Sequence, residues 1–139
     1  MILPKDFSIN TTNLNVFIYK MLENDNVKVA KSNVAGYGVF AKKKFAPGDL
    51  IDVSICLVKP NEEWSTATED YIFSRGKYSA FALGNGGVFN HSNSPNARHE
   101  LTARLKELHV FAIKPINVGD EIFISYGPNY FATRTIKQK

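Results

Sequence analysis

The sequence predicts a single domain built mainly of β-strands, and three observations support this prediction. Its 139 residues suit one domain with its own hydrophobic core. Apolar and β-branched residues occur in short runs, separated by turns rich in Gly, Pro, Asn and Asp, at a spacing of roughly ten residues. Segments with helical periodicity are few and short, so strands are expected to dominate the fold.

The strand predictions follow the chain from Val27 onward. Alternation of apolar and polar residues predicts strands in VKVAKS and in YGVFAKKKF. A Pro-Gly turn then leads into LIDVSICLVKP, whose apolar and β-branched residues predict a longer strand. Further along, one or two helical turns are expected in NEEWSTATEDYIFSR, and strands in ARLKELHVFAIKPI and NVGDEIFISYG.

Two segments of the chain echo each other, FAPGDLIDVSI and INVGDEIFISY. Each combines a Gly-Asp turn with the start of a strand. Two separate hairpin turns are sufficient to explain the likeness, and no internal repeat is predicted.

The domain boundaries follow from a change in pattern near Asn26. Residues 1–26 are rich in turn-forming polar residues around one apolar run, and they are expected to form an N-terminal extension that packs on the domain or on a partner. Residues 27–131 are expected to form the domain, and residues 132–139 a C-terminal tail.

Composition and charge exclude several classes of protein. The chain has one cysteine, Cys56, so neither an internal disulfide nor a zinc site built from thiolates is expected, and no metal site is predicted. It shows no secretory signal and no membrane-spanning run, which favours an intracellular protein. The formal charge of +4 comes from scattered basic residues, so no specific nucleic-acid partner is predicted.

Four segments carry residues suited to a functional site: GYGVFA at 36–41, YIFS at 71–74, FNHSNSPNA at 89–97 and EIFISYG at 121–127. Each segment alone is more often structural. A Gly-x-Gly is usually a turn, and an Asn-His pair in a loop with Pro usually serves the backbone. Their order and spacing along the chain are therefore more informative than any one of them.

In this order and spacing, the four segments resemble the SET domain of protein lysine methyltransferases. The resemblance runs from about Val27 to Phe131. The compact size and the stretch ALGNGGVFNHSNSPNARHELTA are similar to the minimal SET proteins of large algal DNA viruses. The resemblance implies a β-clip fold with a C-terminal pseudoknot, in which the final segment threads a loop and brings FNHS and SYG together.

The resemblance also implies a cofactor, S-adenosylmethionine, and residues that hold it. The backbone of Gly36, Tyr37 and Gly38 is expected to hold the methionine part, because a Cβ at either glycine would collide with the ligand. Asn90 and His91 are expected to offer backbone groups to the adenine, and the Asn90 side chain to bind the amino group. His91 is interpreted as a satisfied imidazole rather than a base.

Tyr126 is the predicted catalytic residue. A tyrosine pKa near 10 makes it a poor base at neutral pH, so it is expected to orient the lysine amine rather than to remove a proton. The predicted substrate-binding residues are Tyr71, Ser125, Tyr130 and Phe131, with the aromatic rings forming a channel that attracts an alkylated ammonium. The remaining Asn and Ser side chains near His91 are expected to hold an irregular loop by bonding its backbone.

The implied substrate is the histone H3 tail at lysine 27, free or in a nucleosome, and the implied assembly is a homodimer in the host nucleus or a virion. The cluster of Glu62, Glu63, Glu69 and Asp70 is either a solvated face or an attractor for this basic peptide. Three alternatives stay open: methylation of a non-histone protein, a non-catalytic peptide-binding scaffold, and a ligand-binding module like the antifreeze-like domains, which GYGVFAKKKFAPGDLI alone resembles.

Overall fold

The computed structural model describes residues 23–128, and β-strands dominate them, as the sequence predicts. Residues 1–22, which make up most of the predicted extension, and the predicted tail lie outside the described range. The strands are β1 (Val27–Lys31), β2 (Tyr37–Ala41), β3 (Leu50–Pro60), β4 (Ile72–Arg75), β5 (Tyr78–Leu83), β6 (Asn90–His91), β7 (Ala97–Leu101), β8 (Glu107–Ala112) and β9 (Glu121–Ile124). Three 3₁₀ helices complete the described elements: Asn61–Glu63, Thr66–Tyr71 and Asn85–Gly87.

The strands form two sheets. One sheet has the strand order β1-β2-β9-β6, and the other has the order β4-β5-β3-β8-β7. Neighbours are antiparallel except β6 and β9, which are parallel. The short strand β6 therefore lies next to β9, although the whole of β7 and β8 separates them along the chain.

Most predicted strands are confirmed, but β7 was not predicted as a separate strand. Its sequence ARHEL carries apolar residues only at its two ends, Ala97 and Leu101, and these are the residues that it buries. The charged and polar residues between them resemble a loop when they are considered alone. Pairing with β8 along its whole length determines its conformation.

The main hydrophobic core lies where the two sheets pack together. In β9, Ile122 and Ile124 are fully buried while the residues between and before them are half-exposed, which is the alternation expected of a strand with one buried face. Phe89 and Val39 pack into the same core cluster. The residue Phe89, which directly precedes β6, is thus anchored in the core. Among residues 23–128, no helix is long and apolar enough to cross a membrane.

The two Gly-Asp turns have the same internal structure. The carboxylate of Asp49 accepts a hydrogen bond from the backbone N–H of Ala46 at 2.8 Å, and that of Asp120 accepts one from Asn117 at 2.9 Å. In both turns the backbone N–H of the Asp also bonds the carbonyl of the same residue three positions earlier. Each Asp therefore closes its own turn.

The same two turns also bond each other, so the interpretation as two separate hairpin turns was incomplete. Phe45 and Ile116 exchange two backbone hydrogen bonds, of 2.9 and 3.0 Å. The N–H of Gly48 donates to Ala112 at 2.8 Å, and the N–H of Gly119 donates to Ala41 at the same distance. The echo in the sequence thus reflects a pair of similar turns that bond each other reciprocally.

Gly48→Ala and Gly119→Ala are expected to destabilise the protein by similar amounts. Their φ angles are +92° and +90°, and an added Cβ at either position would meet no atom within 4 Å, so the cost is conformational. We expect each change to lower the free energy of unfolding by about 1 to 2 kcal/mol, measured by chemical denaturation. Gly87→Ala is the control, because its Cβ would make an ordinary 3.7 Å contact with the carbonyl of Ala82. An equal effect at all three positions would contradict this explanation.

Candidate active site

The parallel pairing of β6 with β9 brings the two predicted motif segments together. Asn90 lies opposite Phe123 and His91 opposite Ile124, and the N–H of Ser92 extends the ladder to the Ile124 carbonyl at 3.1 Å. The predicted meeting of the FNHS and SYG segments is therefore observed.

The side chain of Asn96 prolongs this pairing beyond the end of β6. Its Nδ2 donates to the Glu121 carbonyl at 2.9 Å, and its Oδ1 accepts from the Phe123 N–H at 2.8 Å. Ser92 holds the intervening loop by accepting a hydrogen bond from the N–H of Ser94 at 3.0 Å. The Ser92 side chain thus bonds the backbone of its own loop, as expected. The Asn96 side chain instead bonds the backbone of β9 in the way that a neighbouring strand would.

His91 joins the two segments through its ring. Its Nδ1 accepts a hydrogen bond from the backbone N–H of Tyr126 at 3.0 Å, so the neutral ring carries its proton on Nε2, which lies 3.0 Å from Oδ1 of Asn93. The ring is buried, and its centroid lies 5.3 Å from that of Tyr126. Both ring nitrogens are engaged, which agrees with the interpretation of His91 as a satisfied imidazole.

The hydroxyl of Tyr126 is fixed by the same segment. It donates a 2.6 Å hydrogen bond to the carbonyl of Phe89, and the ring packs against the main core cluster. A phenol oxygen that donates its proton in this way still has lone pairs that can accept a hydrogen bond. Tyr126 therefore presents an oriented acceptor rather than a mobile hydroxyl.

Tyr126 and Tyr71 line one cavity of about 590 Å³. Two carboxylate residues of the predicted acidic cluster, Glu69 and Asp70, line it as well, as does His99. The ring of Tyr71 is half-exposed and lies 6.5 Å from that of Phe81. The predicted catalytic residue and one predicted aromatic channel residue, Tyr71, thus line the same cavity, whereas Tyr130 and Phe131 lie outside the described residues.

A second polar cluster surrounds the side-chain amide of Asn90. Its Nδ2 lies 3.0 Å from the carbonyls of Ala35 and Tyr37 and 2.9 Å from Oε1 of Glu121. The amide has two hydrogens for three oxygens, so the cluster has more acceptors than this donor can satisfy. The predicted residues Tyr37 and Asn90 are therefore in direct contact.

Glu121 and Ser32 belong to this cluster and were not predicted. The second carboxylate oxygen of Glu121 accepts a 2.9 Å hydrogen bond from the hydroxyl of Ser32. That hydroxyl in turn accepts one from the N–H of Val34 at 3.0 Å. Glu121 stands at the start of the EIFISYG segment, but nothing in the local pattern links it to a serine 89 residues earlier.

The two glycines of the Gly-x-Gly segment serve different purposes. Gly36 has φ +48°, and an added Cβ would meet no atom within 4 Å, so its backbone is open. A Cβ on Gly38 would instead run into the carboxylate of Glu121 and lie 3.2 Å from Nδ2 of Asn90. The expected collision with a ligand is therefore not needed to explain Gly38, since the protein's own side chain fills that space.

Two other residues considered in the sequence, Ser125 and Trp64, lie outside the cavity-lining set. Ser125, predicted to bind substrate, is exposed, and its hydroxyl accepts a 3.2 Å hydrogen bond from the N–H of Gly127. Trp64 stacks on Phe81 with ring centroids 6.1 Å apart and is half-buried. Within residues 23–128, no group of three or more His, Cys, Asp or Glu residues is arranged to hold a metal ion.

His99 is the titratable cavity residue whose surroundings most favour its neutral form. Its ring lies 5.0 Å from that of Phe73, and burial lowers its pKa below the ordinary histidine value. The folded protein therefore resists protonation of His99, while the unfolded chain does not.

His99→Gln is expected to weaken the dependence of stability on acid. Because the folded pKa lies below the unfolded one, wild-type stability from this group is complete above about pH 6.5 and is lost as the pH falls through that value toward the folded pKa. Chemical denaturation between pH 8 and pH 5 should show a smaller loss for the variant. A His99 resonance that titrates at or above the ordinary value in NMR would contradict the prediction.

Comparisons with known proteins agree with this arrangement. The sequence profile of the SET domain family matches residues 36–127. The histone-lysine N-methyltransferase SET9 of Yarrowia lipolytica is 34% identical over 109 residues, and the match covers 75% of this chain but 12% of that protein. The H3 lysine-37 specific histone-lysine N-methyltransferase of Schizosaccharomyces pombe is 30% identical over 99 residues, covering 66% of this chain and 67% of that protein.

A solved structure shares the fold as well. The putative histone methyltransferase of Plasmodium falciparum superposes with a TM-score of 0.68 at 31% sequence identity, covering 76% of this chain and 96% of that chain. The predicted fold class is thus confirmed by an independent structure. A particular closeness to algal virus proteins is not among these findings.

Proposed function

This chain belongs to the SET domain family, and on that premise we propose that it is an S-adenosylmethionine-dependent protein lysine methyltransferase that acts on the histone H3 tail. One observation carries the proposal most directly: the hydroxyl of Tyr126 is held by the Phe89 carbonyl on the wall of a cavity that Tyr71 also lines. The adjoining strand β6 connects this cavity to the acceptor cluster around Asn90. A cofactor subsite around Asn90 and a lysine subsite beside Tyr126 that share one segment suit a direct transfer of a methyl group.

The residues around Asn90 fit the amino-acid end of the cofactor. An ammonium group has three N–H donors, and the oxygens of Ala35, Tyr37 and Glu121 provide spare acceptor capacity. The open backbone at Gly36 leaves room for a ligand to approach closely. When bound, the cofactor supplies a methyl group on a positively charged sulfur. We assign Gly36, Tyr37, Gly38, Asn90 and His91 to holding it.

The cavity fits a lysine side chain. A free lysine amine has a pKa of about 10.4, so it must lose a proton before it can act as a nucleophile. The aromatic walls at Tyr71 and Tyr126 remove water from the ammonium and favour the neutral amine. The fixed Tyr126 oxygen can then accept a hydrogen bond from an N–H of the lysine amine. This bond orients the lone pair of the amine nitrogen. The proton can leave through water, so proton removal by Tyr126 is not required.

The surroundings of the cavity suit a basic, extended peptide. Glu69 and Asp70 line it, and carboxylates at a binding site attract cationic segments. β4 is an edge strand of its sheet, and three of its residues, Ile72, Phe73 and Ser74, line the same cavity. A peptide that pairs with this edge would carry a lysine past the cavity entrance. A histone tail has both properties, and acting on it would place this protein in the nucleus.

Two lysines of H3 are candidates. Lysine 27 is implied by the resemblance to the viral enzymes, in which methylation represses transcription. Lysine 37 is supported by the specificity named for the relative from Schizosaccharomyces pombe. We propose lysine 27 as the first candidate, and peptides that carry one or the other lysine replaced by arginine distinguish the two.

Tyr126→Phe is expected to abolish most methyl transfer while the protein stays folded. The change removes one hydrogen bond, worth about 1 kcal/mol of stability, but it also removes the group that orients the amine. Misplacement of the reacting atoms by about 1 Å can reduce the rate by about 100-fold. The measurement is transfer of labelled methyl from S-adenosylmethionine to an H3 tail peptide and to nucleosomes. Tyr78→Phe is the control, because this half-exposed tyrosine lies on β5 outside the cavity-lining set.

The outcomes separate the alternatives. Label on H3 that depends on Tyr126 supports the proposal. Label that appears only on other proteins would replace the histone substrate with a non-histone one. Binding of peptide or cofactor without any transfer would indicate a scaffold, and transfer that is unchanged in Tyr126→Phe would remove the role of that residue.

We also propose that the protein is a homodimer, as the resemblance implies. The support is an apolar surface on the outer face of the five-stranded sheet, formed by Val53, Ile55 and Leu57 of β3 and by Leu83 of β5. Ile55 is the most exposed of them, at 68%. Contiguous exposed apolar patches often mark protein–protein interfaces.

Ile55→Lys is expected to convert a dimer into a monomer, because it places a charge at the centre of the apolar surface. The molar mass in solution, measured by light scattering after size exclusion, should fall by half. Val118→Lys is the matched control, since Val118 is 62% exposed but lies in the turn before β9. A wild-type protein that is monomeric at micromolar concentration would refute the homodimer.

A further inference from the structure

Glu121 connects the loop before Gly36 to the side chain of Asn90. We propose that Glu121 is a positioning residue that, together with Ser32, sets the affinity for the cofactor by holding the Ser32–Gly36 loop and Asn90 in one arrangement. The inference rests on the proposed function, because it concerns the cofactor site of that reaction. It assigns to Glu121 and Ser32 a role that the sequence analysis did not give to either residue.

The first half of the connection reaches the loop. Oε2 of Glu121 accepts a 2.9 Å hydrogen bond from the hydroxyl of Ser32. The Ser32 hydroxyl also accepts hydrogen bonds from the backbone N–H groups of Val34 at 3.0 Å and Ala35 at 3.4 Å. The backbone N–H of Ser32 donates to the Gly36 carbonyl at 2.9 Å, which closes the loop. A single serine thus folds the loop, and Glu121 attaches that serine to β9.

The second half of the connection reaches Asn90. Oε1 of Glu121 accepts from its Nδ2 at 2.9 Å, and the same nitrogen faces the carbonyls of Ala35 and Tyr37. Both carboxylate oxygens of Glu121 are therefore used, one on each side. The Ala35 carbonyl belongs to the loop that Ser32 folds, and the Tyr37 carbonyl directly follows that loop at the start of β2.

Space for this carboxylate depends on Gly38. A Cβ at position 38 would overlap the carboxylate group of Glu121. Gly38 is also fully paired with Ala30 of β1, so its own backbone cannot move aside without disturbing the sheet. The Gly-x-Gly segment and Glu121 therefore form one packed unit.

The physical benefit is preorganisation. Asn33, Ala35 and Gly36 are exposed, so few packing contacts hold the loop in its folded conformation. Ordering a loop at the moment of binding reduces affinity, because the lost conformational entropy must be offset by ligand contacts. Hydrogen bonds donated to the Glu121 carboxylate order the loop beforehand, and they are stronger than bonds between neutral groups.

The experiment measures cofactor affinity by calorimetry, with S-adenosylmethionine and its demethylated product, in the absence of protein substrate. We expect Glu121→Ala and Ser32→Ala to raise Kd by about tenfold or more, as for loss of a hydrogen bond to a charged group. Glu121→Gln should lose less than Glu121→Ala, because its amide keeps the shape and its one oxygen can still accept from Asn90 or from Ser32, whereas its NH₂ group cannot replace the second acceptor. Glu107→Gln is the matched control, since Glu107 also begins a strand but lies in the other sheet.

Two readouts separate positioning from general support of the fold. Hydrogen exchange of the Val34 and Ala35 amides in the cofactor-free protein should become faster in Ser32→Ala and Glu121→Ala, while exchange in the core strand β8 stays unchanged. In turnover assays, the KM for the cofactor should rise with little change in kcat at saturating cofactor. A purely structural defect would instead lower the fraction of active protein and leave KM unchanged.

A double-mutant cycle tests the packed unit. Gly38→Ala should destabilise the wild-type protein because its Cβ meets the carboxylate, and this cost should shrink when Glu121→Ala has removed that carboxylate. Additive effects of the two changes on the free energy of unfolding would contradict the packing argument.

The results distinguish the inference from the function that it presupposes. A wild-type protein that binds neither form of the cofactor would overturn both. Wild-type binding combined with unchanged affinity in Glu121→Ala and Ser32→Ala would overturn the inference and leave the methyltransferase proposal standing. Weakened binding accompanied by unchanged loop exchange would also overturn it, because the loop would then not be the intermediary.

Discussion

The parallel pairing between β6 and β9 is the interaction on which the rest of the site depends. Two parallel strands cannot be joined by a tight turn, and here the connection runs through β7 and β8 before β9 returns beside β6. The bond from the Tyr126 N–H to His91 and the bond from its hydroxyl to Phe89 then fix the residue that follows β9. The site is therefore complete only when both sheets are complete.

Three consecutive residues, Phe89, Asn90 and His91, serve the two halves of the site at once. Successive side chains of an extended segment point in opposite directions. The Asn90 side chain accordingly bonds the Ala35 and Tyr37 carbonyls, while the ring of its neighbour His91 accepts from the Tyr126 N–H. The backbone carbonyl of Phe89 accepts from the Tyr126 hydroxyl. A shift in this short segment would move the polar cluster around Asn90 and the cavity wall at Tyr126 together, which keeps the distance between them constant.

The sequence was sufficient where the signal was local. Alternation located β1 and β2, and apolar or β-branched runs beside turn signals located β3 and β9. The motif resemblance selected Tyr71 and Tyr126, which line one cavity, and Asn90 and His91, which form β6; their roles stay predictions. It was insufficient where a tertiary contact decides the outcome. β7 is a strand because β8 pairs with it, and Ser32 matters because Glu121 reaches it across 89 residues. The sequence predicts that Gly38 must lack a Cβ because a ligand approaches it. In the structure, the neighbouring Glu121 carboxylate is enough to exclude a Cβ at this position.

The reciprocal bonding of the two Gly-Asp turns has a consequence for how the molecule unfolds. Phe45 and Ile116 bond each other, and the carbonyls of Ala41 and Ala112 each accept from the glycine of the opposite turn, so the loss of either turn leaves backbone groups of the other unpaired. Unpaired buried backbone groups are costly. Melting should accordingly be all-or-none, with no stable half-molecule, and tolerance to chain cleavage or circular permutation should be lowest at these turns.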